Sequence, residues 1–186
     1  HPRGVLAGIV RFGCMKTPEN NYAFIDSQNL HKGIVAQGWR LDYHRFWVHL
    51  REKYGVTKAY FFIGYIPQNE KMYAAMRRYG YEVIFKPVVG DGDAVKGNVD
   101  AELVLQAMHE YQQYDKAVIV SGDGDFYCLV KYLHERGKLR RVIVPDKHKY
   151  SVLLRNSLPR SVGFTFLNDL KQRLAYRSVQ SGGGRK

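Results

Sequence analysis

Ala117-Val-Ile-Val-Ser-Gly-Asp-Gly-Asp-Phe126 runs four consecutive apolar residues directly into a turn rich in glycine and aspartate. An apolar run with no polar alternation is what a strand buried on both faces requires, and such strands belong to parallel sheets covered by helices on each side. The turn after it suits a strand-to-helix connection, since Asp is a good helix N-cap and Gly fits a tight backbone. This segment therefore predicts one strand over 117–120 and a helix over 126–136.

The same unit recurs on both sides of it. Apolar runs at 22–25, 59–64, 82–86 and 141–144 read as further strands, and 164–167 as a last edge strand. Helical spacing falls between them, over 30–36, 43–54, 70–79, 98–111 and 151–156, with Asp42 placed to cap the second of these and Gly80 to stop the third. Strands alternating with helices predict an α/β fold, a Rossmann-like three-layer α/β/α sandwich with a mostly parallel central sheet. One domain over 21–177 accounts for the pattern, preceded by an irregular arm over 1–20. Ser181-Gly-Gly-Gly184 makes 178–186 a flexible tail. The chain opens on His1-Pro2 and not on Met, which reads as a fragment or processed product and leaves the true N-terminus open.

Composition narrows the function. The 186 residues are 45% hydrophobic and 25% charged, the balance of a soluble globular protein. Val5–Val10 is too short an apolar run to span a membrane, so no membrane partner is expected. Cys14 and Cys128 are too few for a disulfide framework, which favours a reducing, cytoplasmic setting. Net charge is +12, a footprint that favours polyanions. Its distribution is uneven: Asp91–Asp125 holds eight acids against two bases, and Lys131–Arg160 holds nine bases against two acids. A local acid cluster inside a basic protein suits a cation site that works on a polyanion.

Four acids stand where parallel α/β sheets carry their chemistry, at the carboxyl ends of strands. Asp26 follows the first strand, Asp123 and Asp125 follow the fourth, and Asp100 opens the helix before it. Helical spacing puts Asp100 on the same face as Leu103, Val104, Ala107, Met108 and Tyr111, with Glu102 about 160° away. A carboxylate on an apolar face is costly unless paired, capped or bound to metal. Each acid also has a plainer explanation: a helix-dipole partner for Asp100, a cap for Asp123 or Asp125, an Asx turn for Asp26. If the first and fourth strands are neighbours, all four meet in one cleft, and oxygen-only ligands favour Mg²⁺ or Mn²⁺ over zinc. A phosphatase of the haloacid dehalogenase type would need Asp-x-Asp after the first strand, and Gln28 holds its second position.

Phe24-Ile-Asp-Ser-Gln-Asn-Leu30, Lys96-Gly-Asn-Val-Asp100 and Val120-Ser-Gly-Asp-Gly-Asp-Phe126, in that order and separation, resemble the NYN (LabA-like) branch of the PIN-like nuclease superfamily. The resemblance runs from about Tyr22 to Leu170. It implies an acidic pocket of Asp26, Asp100, Asp123 and Asp125 that binds Mg²⁺ or Mn²⁺ and hydrolyses RNA, with endonucleolytic cleavage favoured. Asn29 and Ser121 would position the metal or its waters, and Lys96 would face a phosphate. One departure stands out: many relatives carry a further acid where this chain has Gln106. The expected chemistry is attack of a metal-activated water on a phosphodiester. The basic segment Lys131–Arg160, with Lys147, Lys149 and Arg155 foremost, and the tail bases Lys171, Arg173 and Arg177 are the expected RNA-backbone contacts. Homo-oligomerisation is left open, and a non-catalytic RNA-binding or regulatory module of the same fold is the alternative.

Overall fold

The computed structural model describes residues 18–86 and 99–177. The arm up to 17, the acids Asp91 and Asp93, Lys96 and the tail from 178 lie outside the described residues. In chain order the elements are β1 (Asn21–Asp26), α1 (Ser27–Val35), α2 (Tyr43–Tyr54), β2 (Val56–Gly64), α3 (Glu70–Tyr79) and β3 (Tyr81–Lys86). There follow α4 (Val99–His109), β4 (Ala117–Val120), α5 (Tyr127–Glu135), β5 (Leu139–Val144), α6 (Val152–Asn156), β6 (Thr165–Phe166) and α7 (Lys171–Leu174). Short 3-10 turns occupy Pro67–Asn69, Gly124–Phe126 and Leu167–Leu170.

The six strands form one sheet in the order β3-β2-β1-β4-β5-β6, and every pairing is parallel. The expectation of a mostly parallel sheet is thus exceeded, since even the edge strand β6 runs parallel to β5. Side chains alternate between the faces of each strand, so each strand feeds two cores. Ala23 and Ile25 of β1 join Leu30, Ile34, Phe46, Leu50 and Met76 under α1, α2 and α3. Tyr22 and Phe24 join Leu103, Ala107, Leu129 and Leu133 under α4 and α5. Three layers result.

Order 3-2-1-4-5-6 reverses direction between β1 and β4, and the connections leave a crevice there at the carboxyl ends. Phe24 pairs with Ile119 and Ile25 with Val120, so the residues after these two strands emerge side by side. Several boundaries differ from the sequence reading. β2 begins at Val56, three residues early, because the polar pair Thr57-Lys58 hides its start while Asn21 pairs with Val56. Phe126 sits in a 3-10 turn, and the α-helix proper starts at Tyr127. α4 ends at His109. Met108, placed on its apolar face by spacing, is largely exposed.

Candidate functional site

The site is built by the two loops at the β1–β4 switch point. Asp26 ends β1 and caps α1, its Oδ1 accepting the Asn29 backbone N–H at 3.1 Å. Its Oδ2 accepts from the Ser121 hydroxyl at 3.1 Å. Ser121 Oγ also accepts the Asp123 N–H at 3.1 Å, and Asn29 Oδ1 accepts the Gly122 N–H at 2.8 Å. Asn29 and Ser121 therefore stitch the two acidic loops together, leaving Asp26 buried at their junction. Asp123 caps the turn that follows, accepting the Asp125 N–H at 3.1 Å. A cap uses one of its oxygens; Asp125, exposed, makes no such cap.

Gly122 and Gly124 serve this loop by lacking a side chain rather than by left-handed backbone, since neither has positive φ. A Cβ on Gly124 would collide with the Ser151 hydroxyl, and one on Gly122 would meet Tyr150 Cβ at 3.1 Å. The Ser151 N–H donates to Gly122 O at 2.9 Å. The segment after β5 is thereby pressed onto the acidic loop, and it brings the exposed Lys147, Lys149 and Arg155 to this end of the sheet.

Charge ties the four acids together. Burial pushes Asp100 up to about 6, and the negative charges of Asp123, Asp26 and Asp125 push the same way. Asp26 is also raised, by burial first, with hydrogen bonds from Asn29 and Ser121 opposing and Asp123 adding to the rise. Among the described residues, no three Asp, Glu, His or Cys side chains are grouped at metal-ligand spacing. Their like charges nevertheless act on one another across this end of the sheet.

Lys86 is the residue that sequence reasoning missed. It ends β3 and is buried; burial lowers its ammonium below the usual lysine range, and the charges of Asp100, Glu102 and Asp26 offset this only in part. A lysine closing a buried parallel strand was the available signal. Glu102, about 160° from Asp100 by helical spacing, nonetheless adds its charge at Lys86, and its Oε2 is buried with no hydrogen-bond partner among the described residues. Gln106 points elsewhere, donating to Glu110 Oε1 at 3.1 Å one turn on.

Three bases of the basic segment are structural. Lys138 Nζ donates to the Tyr111 and Tyr114 carbonyls, Arg141 to those of Val162 and Gly163, and Arg140 pairs with Glu19. Their partners are distant in sequence, so composition alone could not separate them from RNA-facing bases. Asp146, another acid after a strand, is held by the His148 N–H at 3.0 Å and the Asn168 amide at 3.4 Å, a structural role outside the cluster.

The raised acids give a pH signature. Asp100 titrates near 6 when folded and near 3.8 when unfolded, so the folded state binds its proton more tightly. That stabilising contribution is complete below about pH 4 and is lost as pH rises through about 6. Buried His49, lowered by its surroundings, acts oppositely in an overlapping window, so the comparison must be made against a variant. In chelator, Asp100→Asn should melt above wild type at about pH 7.5, with the gap closing by about pH 4.5. A gap independent of pH would mean that Asp100 carries no perturbed charge.

A family model for the NYN domain matches residues 22–162. The chain is 27% identical over 165 residues to the low amplitude and bright protein LabA of Synechococcus elongatus, covering 83% of this chain and 87% of that one. Its fold is similar to the crystal structure of a protein of unknown function from Vibrio parahaemolyticus, with TM-score 0.68 and 25% identity, covering 86% of this chain and 97% of that one.

Proposed function

This chain belongs to the NYN domain family, and from that premise we propose that it is a metal-dependent ribonuclease using Asp26, Asp100, Asp123 and Asp125. One observation carries the proposal: four carboxylates from three segments act on one another at the β1–β4 switch point, in a basic protein. Caps and turns account for single acids there, but not for a half-buried Asp100 raised by burial and by three like-charged neighbours. The donor set fits a hard cation, being all oxygen and carrying repulsion that a positive ion would relieve. Mg²⁺ or Mn²⁺ held there would supply Lewis acidity to the phosphodiester and to the attacking water.

The chain's own residues do the rest. Ser121 and Asn29 fix the orientation of Asp26 and the loop bearing Asp123, so that the carboxylates are pre-set. Lys86 offers its ammonium to the charge of a phosphate, a role alongside that expected of Lys96. Lys147, Lys149 and Arg155 line the flank and hold the RNA backbone without reading sequence. Binding should therefore weaken steeply with salt, and reversing these three charges together should flatten the slope by about 2 in log K against log salt for a single strand. An unchanged slope would remove the segment from the RNA surface.

The alternative is a non-catalytic RNA-binding module, and Gln106 favours it, since it turns to Glu110 and adds no acid to the cluster. A nuclease assay on single-stranded RNA with added Mn²⁺ separates the two. Cleavage abolished by chelator supports the ribonuclease; retention of RNA without cleavage supports the module.

A further inference from the structure

A cavity of about 380 Å³ opens beside the acids, between the carboxyl ends of β1, β2 and β3 and the helices α1, α2 and α3. That volume is at the lower end of the range for small-molecule sites, about 300–1,000 Å³. The metal-site reading makes no use of it. Its walls are Phe61 and Ile63 of β2, Tyr43 of α2 and Met72 of α3, with the exposed Ile66 at the rim. Its polar groups are the side chains of Ser27, Gln28, His31 and Asn69.

We propose that this cavity holds the base of one nucleotide of the RNA substrate, with that nucleotide's phosphate at Lys86; the inference rests on the ribonuclease reading above. Three features point to a base. The walls offer apolar and aromatic surface, against which any nucleobase can pack. Two of the lining residues, Gln28 and Asn69, carry side-chain amides, and each can both donate and accept, as the edge of a base requires. Asn69 stands at the N-cap of α3 without making a side-chain cap bond, which leaves its amide for a ligand.

Charge and position agree. Among the described residues no carboxylate lines the cavity, and the one formal charge there is the ammonium of Lys86, on which the charges of Asp100 and Asp26 also act. Ser27 and Gln28 directly follow Asp26 in sequence, so a base seated here places its phosphate within reach of the acidic loops. The site thus confers a preference for the base next to the cleaved bond, where the lysines and arginines on the flank confer none.

The test is direct binding of AMP, GMP, CMP, UMP and ribose 5-phosphate to the full chain in chelator, by calorimetry. At least one nucleotide should bind about tenfold or more tighter than ribose 5-phosphate, the size of one base stacked and hydrogen-bonded. Gln28→Ala and Asn69→Ala should melt like wild type, weaken that nucleotide by about threefold to tenfold and alter the ranking of the four bases. Met72→Trp, which fills the cavity, should reduce every nucleotide to the ribose 5-phosphate level. Equal binding of all five probes, or nucleotide binding untouched by both amide variants, overturns the proposal whatever Met72→Trp does. Because chelator removes catalysis from the measurement, the two readings fail separately. A chain that binds nucleotides through Gln28 and Asn69 yet never cleaves RNA loses only the ribonuclease reading.

Discussion

Asp100→Asn and Asp123→Asn should each fold normally and lose RNA cleavage by more than roughly 100-fold. The substitution keeps the size of the side chain and much of its hydrogen bonding, and Asn is acceptable near a helix start and as a cap. A purely structural acid should therefore tolerate it, at a cost of about 1 kcal/mol or less. A cation ligand should not, because removing one negative charge weakens both the ion's binding and its action on water. In chelator at neutral pH the Asp100 variant should melt slightly above wild type, since Asp100 is raised to about 6 by burial and by three like charges. Mn²⁺ should raise the melting temperature of wild type more than that of either variant. Thermal melts and a cleavage assay on the same preparations decide the matter. Variants that cleave like wild type would return both acids to the role of caps.

The opposite dissociation is expected at Phe126, where stability should fall with no change of charge. Phe126 closes the Gly-Asp-Gly-Asp turn, is 0% exposed, and packs with Leu129, Val130 and Leu154 in the core beneath α5 and α6. Phe126→Ala removes a whole ring from that core and should cost about 3–5 kcal/mol. Asp123 and Asp125 ride on the turn it anchors, so cleavage should fall as well, even at temperatures where the variant remains folded. Phe126→Leu, which refills most of the volume, should cost about 1 kcal/mol and keep most activity. Denaturant unfolding measures the first effect. A loss below about 1 kcal/mol for Phe126→Ala would mean that the turn is not anchored by this ring.

The layered architecture was legible because parallel strands announce themselves. The runs Ala117–Val120 and Val142–Val144 are wholly buried, as unalternating apolar strands covered on both faces require. The positions of Asp26, Asp123 and Asp125 were legible too, since they abut strands whose ends were clear. What stayed hidden depends on partners far along the chain. Lys86 is buried by the packing of β3 against neighbouring segments, which no local period encodes. Glu102 lies beyond the reach of a helical-wheel argument, because an ideal angle says nothing about a lysine arriving from another strand. Lys138, Arg140 and Arg141 look like RNA contacts until Tyr111, Val162 and Glu19 are found beside them. α7 and the turn before it went unseen because four residues with one buried side chain, Leu174, are too short for periodicity to register.

Anomalous diffraction from crystals soaked in Mn²⁺ tests most directly whether these acids are a cation site. A peak bonded to carboxylate oxygens of Asp26, Asp123 and at least one of Asp100 and Asp125, at about 2.0–2.2 Å, is the predicted result. Full Mn²⁺ occupancy at some other place on the chain, with these four carboxylates unmoved, would contradict the assignment.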